Sequence, residues 1–387
     1  MKVTQNKLKI ILFFTYFFIF IYIYVISNKN FYNSVNTSKE KIKINGLNFL
    51  KKLRTNQLNK SILIPFINFP KISIIIPVYN SQISIELPVK SVQNQNFNNL
   101  EIILVNDFST DNSSIIIKNL QNNDKRIKII NNNKNMGILY SRCIGVLISK
   151  GKYIFPLDND DLFLDYNILE IIYKNAKKYK FDILEFKSFV IPNYNPNIKD
   201  LKEDYFNSHS NNLILHQPEL GIYPISKTNR YYANNFHLWG KCFLSKVYKE
   251  AINILGIKRY SVYNCWTEDI SVLFIIFNLA KDYIFLNIYG IFHLISKNTT
   301  TFKLSKQHVI FSNIYLLDIL IDFLKDNVEN KKYAVYKALK MNINISKLNL
   351  KTKNYLKLVL EKIIHSKFIK DENKLKILNK FKDLFKI

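Results

Sequence analysis

The run Ile72-Ser-Ile-Ile-Ile-Pro-Val78 is a short apolar segment rich in β-branched residues, which is typical of a buried parallel strand. Segments of helical and strand-like pattern alternate after it. The pattern predicts helices over 83–93, 113–122 and 138–149, and strands over 100–107, 127–130 and 153–157. Such alternation predicts an α/β fold with a doubly wound sheet and right-handed crossovers. A Gly-x-Gly-x-x-Gly pattern does not follow the first strand, so a dinucleotide-binding site is not expected.

Three carboxylates follow the last of these strands, in Tyr153-Ile-Phe-Pro-Leu-Asp-Asn-Asp-Asp161. Asp158, Asp160 and Asp161 repel one another unless a cation lies between them. Hard divalent cations such as Mg²⁺ and Mn²⁺ are held by one or two carboxylates together with substrate phosphates. The carboxyl end of a strand is also where open α/β sheets bind ligands. An acidic turn with Asp161 at the start of a helix over 162–177 explains the same pattern, so both interpretations stay open.

The strongly basic composition is weak evidence for nucleic-acid binding. The chain has 387 residues, enough to bury a large core, and a formal net charge of +27. Nucleic-acid readers use arginine for bidentate contacts to bases. Of the 56 basic residues only five are arginine, at positions Arg54, Arg126, Arg142, Arg230 and Arg259. We therefore expect a solvated lysine surface and no nucleic-acid partner.

Three cysteines are too few and too scattered for a disulfide framework or a thiolate metal site. Cys143, Cys242 and Cys265 are expected to be small core residues. A single bridge between Cys242 and Cys265 in an oxidising compartment stays open.

The N-terminal region predicts a membrane anchor. Ile10 to Ile26 is an uncharged run of 17 residues, at the lower end of what spans a bilayer as a helix. It does not end in an Ala-x-Ala-like cleavage site, so we expect an uncleaved single-pass anchor over 10–27. The lysines of residues 1–9 favour a cytoplasmic N-terminus, with the rest in a Golgi or endoplasmic reticulum lumen or beyond a bacterial inner membrane. Residues 28–70, polar and rich in Asn and Lys, predict a stem.

Four motifs between about residues 71 and 190 resemble the family-two glycosyltransferases. They follow the family's order at compatible spacing. The motifs are Pro77-Val-Tyr-Asn80, Val105-Asn-Asp-Phe-Ser-Thr-Asp-Asn-Ser113, Asn135-Met-Gly-Ile-Leu-Tyr-Ser-Arg-Cys-Ile-Gly145 and Gly151-Lys-Tyr-Ile-Phe-Pro-Leu-Asp-Asn-Asp-Asp161. The resemblance implies a GT-A-like mixed sheet over 71–305. Its nucleotide-sugar-binding half would cover 71–190, and its acceptor and catalytic half would cover 191–305.

The same resemblance implies which residues bind the donor. Pro77, Tyr79 and Asp107 would contact the uridine, and Asn80 offers a further side chain to the base or ribose. Asp158 and Asp160 would hold the Mn²⁺ or Mg²⁺ that bridges the diphosphate. Asp158 would also bind the donor. Arg142 would hold the nucleotide end, although a helix-capping or surface arginine explains it equally. Two positions depart from the family pattern, with Asn106 in place of an aspartate and Phe108 in place of a glycine.

The second half carries the implied catalytic and acceptor residues. Trp266-Thr-Glu-Asp269 resembles the family segment whose aspartate is the catalytic base, so Asp269 is expected to deprotonate the acceptor hydroxyl, with Glu268 beside it. An acidic helix start explains the pair as well. Trp239 and Trp266 would bind the acceptor, with a core role open for Trp239. His293 would be a third metal ligand or a diphosphate contact, unless it is structural.

We therefore expect a membrane-anchored, metal-dependent, inverting glycosyltransferase. It would move a hexose or N-acetylhexosamine from a nucleotide-diphospho sugar to a hydroxyl of a glycan, glycolipid or glycoprotein. A UDP-sugar is the favoured donor. The alternatives are an inactive glycosyltransferase-fold binding protein and a basic module that binds membrane surfaces or nucleic acid. Amphipathic helices in 306–387 are expected to pack on the domain or, alternatively, to lie on a membrane surface.

Overall fold

The computed structural model describes residues 38–55, 69–203, 211–216, 237–256, 268–295, 350–365 and 371–382, and the single positions 314, 315, 318 and 321. The expected cytoplasmic segment 1–9 and the expected anchor over 10–27 lie outside these residues. Within the described ranges, the structure contains no helix with the length and apolarity needed to cross a bilayer.

The described strands form one mixed sheet in the order β3-β2-β1-β4-β9-β6-β10-β5. Strands β1 to β4 are mutually parallel, whereas β9 runs antiparallel to both β4 and β6, and β6 and β10 are parallel. The short strands β7 and β8 extend the sheet on β6 and β10. The bounds are β1 Ile72–Val78, β2 Leu100–Asn106, β3 Ile127–Asn131, β4 Tyr153–Pro156, β5 Leu162–Phe163, β6 Ile183–Ile191, β7 Lys202–Glu203, β8 Leu213–His216, β9 Lys241–Leu244 and β10 Asp282–Leu294.

Helices cover both faces of this sheet, because alternate strand residues point to opposite sides. Ile75 and Ile103 belong to one core with helices α4, α6 and α7. Ile74 and Ile102 belong to a second core with α2, α3 and α5. The helices are α1 over 38–54, α2 Glu86–Gln93, α3 Ser113–Asn123, α4 Ile138–Ile148, α5 Ile168–Tyr179, α6 Ser245–Leu255, α7 Glu268–Leu279, α8 Leu350–Ile364 and α9 Asp371–Lys380.

The expected α/β fold with a doubly wound, mixed sheet is confirmed, and the predicted elements from 72 to 157 occur within a few residues of their expected bounds. The helix expected over 162–177 is wrong in its first part. Leu162 and Phe163 are fully buried and form β5, which pairs with Phe292 and Ile291 of β10, and α5 begins only at Ile168. A two-residue strand is too short to produce a periodic pattern, so only the tertiary pairing reveals it.

Part of the region expected to be a stem is packed on the domain. Residues 38–54 form α1, and its Phe49, Leu50 and Leu53 are buried against the residues of β5 and β10. At Gly46 a Cβ would lie 2.8 Å from Cζ of Phe292, so the helix approaches the sheet closely there. Lysines interrupt the apolar positions of this helix, which hides its amphipathic pattern in the sequence.

The described helices of the C-terminal extension pack on the domain, which was one of the two predictions for this region. Leu356 and Leu360 of α8 and Ile377 of α9 lie in the same core as Val272 and Ile276 of α7. Outside that core, Lys362 donates a 2.6 Å hydrogen bond to Asp318. This packing extends the core behind the acceptor half of the domain.

Candidate active site

The acidic turn 158–161 follows β4 at the carboxyl edge of the sheet. Its backbone is closed by a hydrogen bond from Asp161 N to Asp158 O of 3.2 Å. Asp161 is fully buried, and it accepts hydrogen bonds from the backbone N of Leu294 at 3.0 Å and from Nδ1 of His293 at 3.0 Å. Asp161 therefore does not cap a helix, because its carboxylate instead ties the turn to β10.

Arg142 joins the two halves of the domain at this edge. Its Nη2 donates to Oδ1 of Asp158 at 2.8 Å, and its Nη1 donates to Oδ1 of Asp269 at 3.0 Å. The arginine side chain is 1% exposed, whereas Asp158 and Asp269 are 27% and 20% exposed. One buried guanidinium therefore holds the expected donor carboxylate and the expected base beside each other, and both carboxylates are only partly exposed. Arg142 is neither a surface nor a capping arginine.

Three carboxylates of the site, Asp160, Asp161 and Asp269, have raised pKa values. Burial raises the pKa of Asp161, and His293 opposes the rise. Burial raises the pKa of Asp160 well above its usual value, the neighbouring Asp161 and Asp158 raise it further, and His293 opposes the rise. Burial also raises the pKa of Asp269, against the opposing effect of Arg142. The second oxygen of Asp269 accepts a 3.0 Å hydrogen bond from the backbone N of Leu238. A carboxylate with a raised pKa is a better proton acceptor, which suits Asp269 as a base.

The acidic turn fits a divalent cation, because Asp158 and Asp160 present oxygen ligands where like charges repel. The described part of the chain contains no group of three or more His, Cys, Asp or Glu arranged to hold a metal ion. A cation held there would have two carboxylate ligands and would need substrate oxygens for the rest. His293 bonds through Nδ1 to Asp161 and does not form a three-residue group with Asp158 and Asp160, so its contact with the diphosphate stays a prediction.

Asp107 fastens the loop that precedes α4. Its Oδ1 accepts hydrogen bonds from Met136 N at 2.7 Å and from Nδ2 of Asn132 at 2.8 Å, and its Oδ2 accepts one from Gly137 N at 2.8 Å. The side chain is 2% exposed. Asp107 thus shapes the loop at the expected uridine site, and its direct contact with the donor stays a prediction.

The tips of β1 and β2 form the rest of the expected donor site. Asn80 adopts a positive φ of 46°, and its Oδ1 accepts a 2.8 Å hydrogen bond from Thr110 N. Phe108 also has a positive φ, of 62°, an unusual conformation at the position where the family pattern has glycine. Tyr79 and Phe108 are about half exposed, and the backbone bond from Asp107 N to Val78 O, 2.8 Å long, brings their loops together. Pro77 lies within buried β1, paired with Val105.

Trp239 lies in a stack of rings beside the acidic turn. Its ring centroid is 3.4 Å from that of His237 and 4.6 Å from that of His293. The residue is only 7% exposed, so little of the indole is open to an acceptor. Beneath the stack, buried Lys241 donates a 2.9 Å hydrogen bond to His237 O and lies 3.4 Å from Glu185. This buried network supports the core role that the sequence left open for Trp239.

Comparisons with known proteins agree with this geometry. Residues 73–247 match the family model described as Glycosyl transferase family 2. This segment is similar to the family 2 glycosyltransferases. It contains the donor half, the acidic turn, Arg142 and Trp239, whereas Asp269 lies beyond the matched residues.

Three bacterial glycosyltransferases are similar to this chain. A GalNAc(5)-diNAcBac-PP-undecaprenol beta-1,3-glucosyltransferase of Campylobacter jejuni is 36% identical over 28% of this chain and 36% of its own length. A processive diacylglycerol beta-glycosyltransferase of Mycoplasma pneumoniae is 25% identical over 63% of this chain and 70% of its own. An uncharacterized glycosyltransferase of Haemophilus influenzae is 44% identical over 24% of this chain. The chain spans 38% and 36% of the Haemophilus and Campylobacter proteins.

Solved structures show the same fold. The Staphylococcus aureus TarS fragment 1–349, crystallised with UDP, superimposes with a TM-score of 0.54 at 14% identity, over 81% of this chain and 88% of that one. A second TarS structure superimposes with a TM-score of 0.56 at 15% identity, over 82% of this chain and 52% of that one. The chain therefore shares its fold with TarS.

Several expected residues lie outside the described part of the chain. Trp266 and Cys265 are among them, and the side chain of Glu268 is likewise not described, although its backbone begins α7. Cys143 and Cys242 are buried in the core, as expected. The roles of Trp266 and Glu268 stay predictions.

Tyr248 is a buried residue near Arg142 that the sequence did not indicate. It is fully buried, and within the described residues its hydroxyl has no hydrogen-bond partner. Burial raises the pKa of Tyr248 well above its usual value, and the nearby Arg142 opposes this. An aromatic residue on the apolar side of an amphipathic helix is indistinguishable from a core residue in the sequence, so no pattern indicated its nearness to Arg142.

Proposed function

We propose that this protein is an inverting, metal-dependent glycosyltransferase that uses a UDP-sugar. It transfers a hexose or an N-acetylhexosamine to a hydroxyl group of a glycan, glycolipid or glycoprotein. An N-terminal anchor over 10–27 keeps it on a membrane, with residues 1–9 in the cytoplasm. The observation that carries the proposal is the Arg142 bridge, which joins Asp158 and Asp269 from opposite halves of the domain.

Asp269 acts as the general base in this proposal. The acceptor hydroxyl attacks the anomeric carbon, its proton passes to an oxygen of Asp269, and the bond from that carbon to the diphosphate breaks. Attack from the face opposite the diphosphate inverts the anomeric centre. Arg142 holds Asp269 by a 3.0 Å hydrogen bond and opposes the rise in its pKa, which favours the ionised form that accepts the proton.

The donor lies along the carboxyl ends of β1, β2 and β4. Tyr79 and Asn80 contact the base and ribose, while Asp107 keeps the loop at Met136 and Gly137 in place. Asp158 and Asp160 would hold Mn²⁺ or Mg²⁺, and His293 would contact the diphosphate. The cation, when bound, neutralises charge on the leaving diphosphate. A TarS structure was solved with UDP-GlcNAc, which supports a UDP-sugar donor for this fold.

A glycolipid is the acceptor class that the relatives favour. The names of the Campylobacter and Mycoplasma relatives contain undecaprenol and diacylglycerol, and both are lipids. An acceptor embedded in the membrane also suits an enzyme with an N-terminal anchor. Asp158 and Asp269 are each partly exposed, which leaves a surface that such an acceptor can reach.

A nucleotide-sugar panel tests the proposal. The full-length chain, purified in detergent, is incubated with single nucleotide sugars and Mn²⁺ or Mg²⁺, with and without chelator, and released nucleotide is measured. We expect release from at least one UDP-sugar, lost on chelation and in Asp160→Ala. Binding of UDP without any release, in the presence of lipid and glycan acceptors, would instead favour the inactive binding protein.

A further inference from the structure

Helix α1 packs directly beneath the residues that follow the acidic turn. Leu50 and Leu53 are 2% and 1% exposed and share a core with Leu162 and Leu164. Leu162 is the next residue after Asp161, so the packing begins where the carboxylates end. The ring of Phe49 also makes an edge contact with the ring of Tyr166, with centroids 4.4 Å apart. The helix therefore supports β5, although it precedes residues 73–247, which match the family model.

A second connection reaches the turn itself. Tyr194, in the loop after β6, donates a 2.6 Å hydrogen bond from Oη to the backbone carbonyl of Asp160. The next residue, Asn195, accepts a 2.6 Å hydrogen bond at Oδ1 from Nη1 of Arg54 on α1. Helix α1 thus makes two contacts near the turn. Its core residues pack on the segment after the turn, and its Arg54 bonds to the loop that carries Tyr194.

We infer that Tyr194 is a positioning residue for the acidic turn and that α1 completes the support. This inference rests on the proposed function, in which Asp158 and Asp160 hold the cation and the diphosphate. Asp158 has the Arg142 bond and Asp161 has its bonds to β10, but the side chain of Asp160 makes no hydrogen bond to another described residue. The hydrogen bond from Tyr194 to its carbonyl therefore restrains the backbone that carries Asp160. Ligand groups at such sites must be held within about 0.5 Å, so losing this restraint weakens binding.

The test compares Tyr194→Phe with Tyr179→Phe in the full-length chain. Tyr179 lies at the end of α5, so its variant loses a hydroxyl away from the turn. We expect Tyr194→Phe to weaken Mn²⁺ binding in the presence of UDP about three- to tenfold, the range that one hydrogen bond supplies, with the melting temperature changed by no more than about 2 °C. The KM for the UDP-sugar should rise while kcat stays within about twofold, because the base is untouched.

Amide hydrogen exchange, measured without ligands, gives a second readout. The peptide covering 158–163 should exchange faster in Tyr194→Phe than in wild type and in Tyr179→Phe. Arg54→Ala should produce a smaller change in the same peptide, and Lys52→Ala, on the exposed surface of the same helix, none. Unchanged exchange together with unchanged Mn²⁺ affinity in Tyr194→Phe would overturn the inference, as would a lower melting temperature with wild-type affinity. Failure of the wild-type chain to bind Mn²⁺ and UDP would instead overturn the proposed function and this inference with it.

Discussion

Arg142 and Asp269 are 127 residues apart in the chain, yet Nη1 of the arginine lies 3.0 Å from Oδ1 of the aspartate. The arginine comes from α4, which packs on the nucleotide half, and the aspartate comes from the start of α7. Because the other guanidinium nitrogen bonds to Asp158, this contact places the proposed base beside the proposed cation site. The functional consequences of the contact can be tested separately for each partner.

Replacing Asp269 by asparagine should abolish transfer while leaving donor binding intact. Asparagine keeps one oxygen, which can accept from Arg142 or from Leu238 but not from both, and it cannot take the proton from the acceptor. We expect kcat to fall about 10²- to 10⁴-fold, the usual contribution of a general base. Initial rates with the UDP-sugar and acceptor measure this, and titration with UDP reports the donor affinity. Asp371→Asn, at an exposed position, is the matched control. Near wild-type turnover in Asp269→Asn would exclude Asp269 as the base.

Replacing Arg142 by lysine should move the acid limb of the pH–rate profile to higher pH. The guanidinium lowers the pKa of Asp269, and an ammonium group cannot bond to both carboxylates in the same planar geometry. The base of the variant therefore stays protonated up to a higher pH, so activity appears at higher pH than in wild type. We also expect kcat/KM at neutral pH to fall at least about tenfold, the effect of about 1.4 kcal/mol.

Arg126→Lys provides the control for that experiment. Arg126 is equally buried and pairs with Asp124 at 2.8 Å, but it lies before β3 and away from the acidic turn. This variant should lose stability without a shift in the pH–rate profile. Equal shifts in both variants would mean that the profile reports unfolding rather than the base.

Stability should fall in acid because of His237. Burial and the adjacent Lys241 hold the pKa of His237 well below its usual value of 6.5, so the folded protein carries a neutral imidazole. The unfolded chain takes up a proton as the pH falls through about 6.5, and the folded chain does so only at a lower pH. The histidine contribution to the free energy of unfolding is therefore present above that range and is lost as the pH falls. Its slope is at most about 1.4 kcal/mol per pH unit.

Chemical denaturation between about pH 7 and pH 5 measures this effect. The carboxylates with raised pKa values contribute in the opposite direction, so the comparison is the difference between wild type and His237→Gln. The variant should show less loss of stability in acid than wild type. His365→Gln, at an exposed position directly after α8, is the matched control. An identical slope in His237→Gln would mean that the pKa of His237 is the same in the folded and the unfolded chain.

Gly145→Ala should destabilise the packing of α4 on the sheet. A Cβ at position 145 would lie 2.5 Å from Cγ2 of Ile75 and 3.1 Å from Cγ2 of Val105, so helix and strand must move apart. Overpacking of this kind costs about 1–3 kcal/mol, and denaturant unfolding measures it. Ile148→Ala on the same helix, at a side chain 45% exposed, should change the free energy of unfolding far less. A Gly145→Ala variant as stable as wild type would show that α4 can shift without cost.

The amino-acid sequence alone determined the alternating strands and helices of the nucleotide half. Their signals are local: buried β-branched runs, amphipathic helices and polar strand tips can be recognised without knowing what they contact. The same is true of the acidic turn and of Arg142, whose motifs are continuous in the chain. Short β5 and helix α1 were not recognised, because their burial depends on partners far away in sequence.

Only the tertiary structure decided how these residues act together. It tied Asp161 to Leu294, closed the Tyr194 bond to Asp160 and brought Asp269 to Arg142, across 133, 34 and 127 residues. The physical reason is that a hydrogen bond or a buried ion pair depends on distance and direction in space, and residue order does not specify these. Local pattern thus determined the elements and the candidate chemistry, whereas the packing of α7, β10 and α1 on the sheet determined the site.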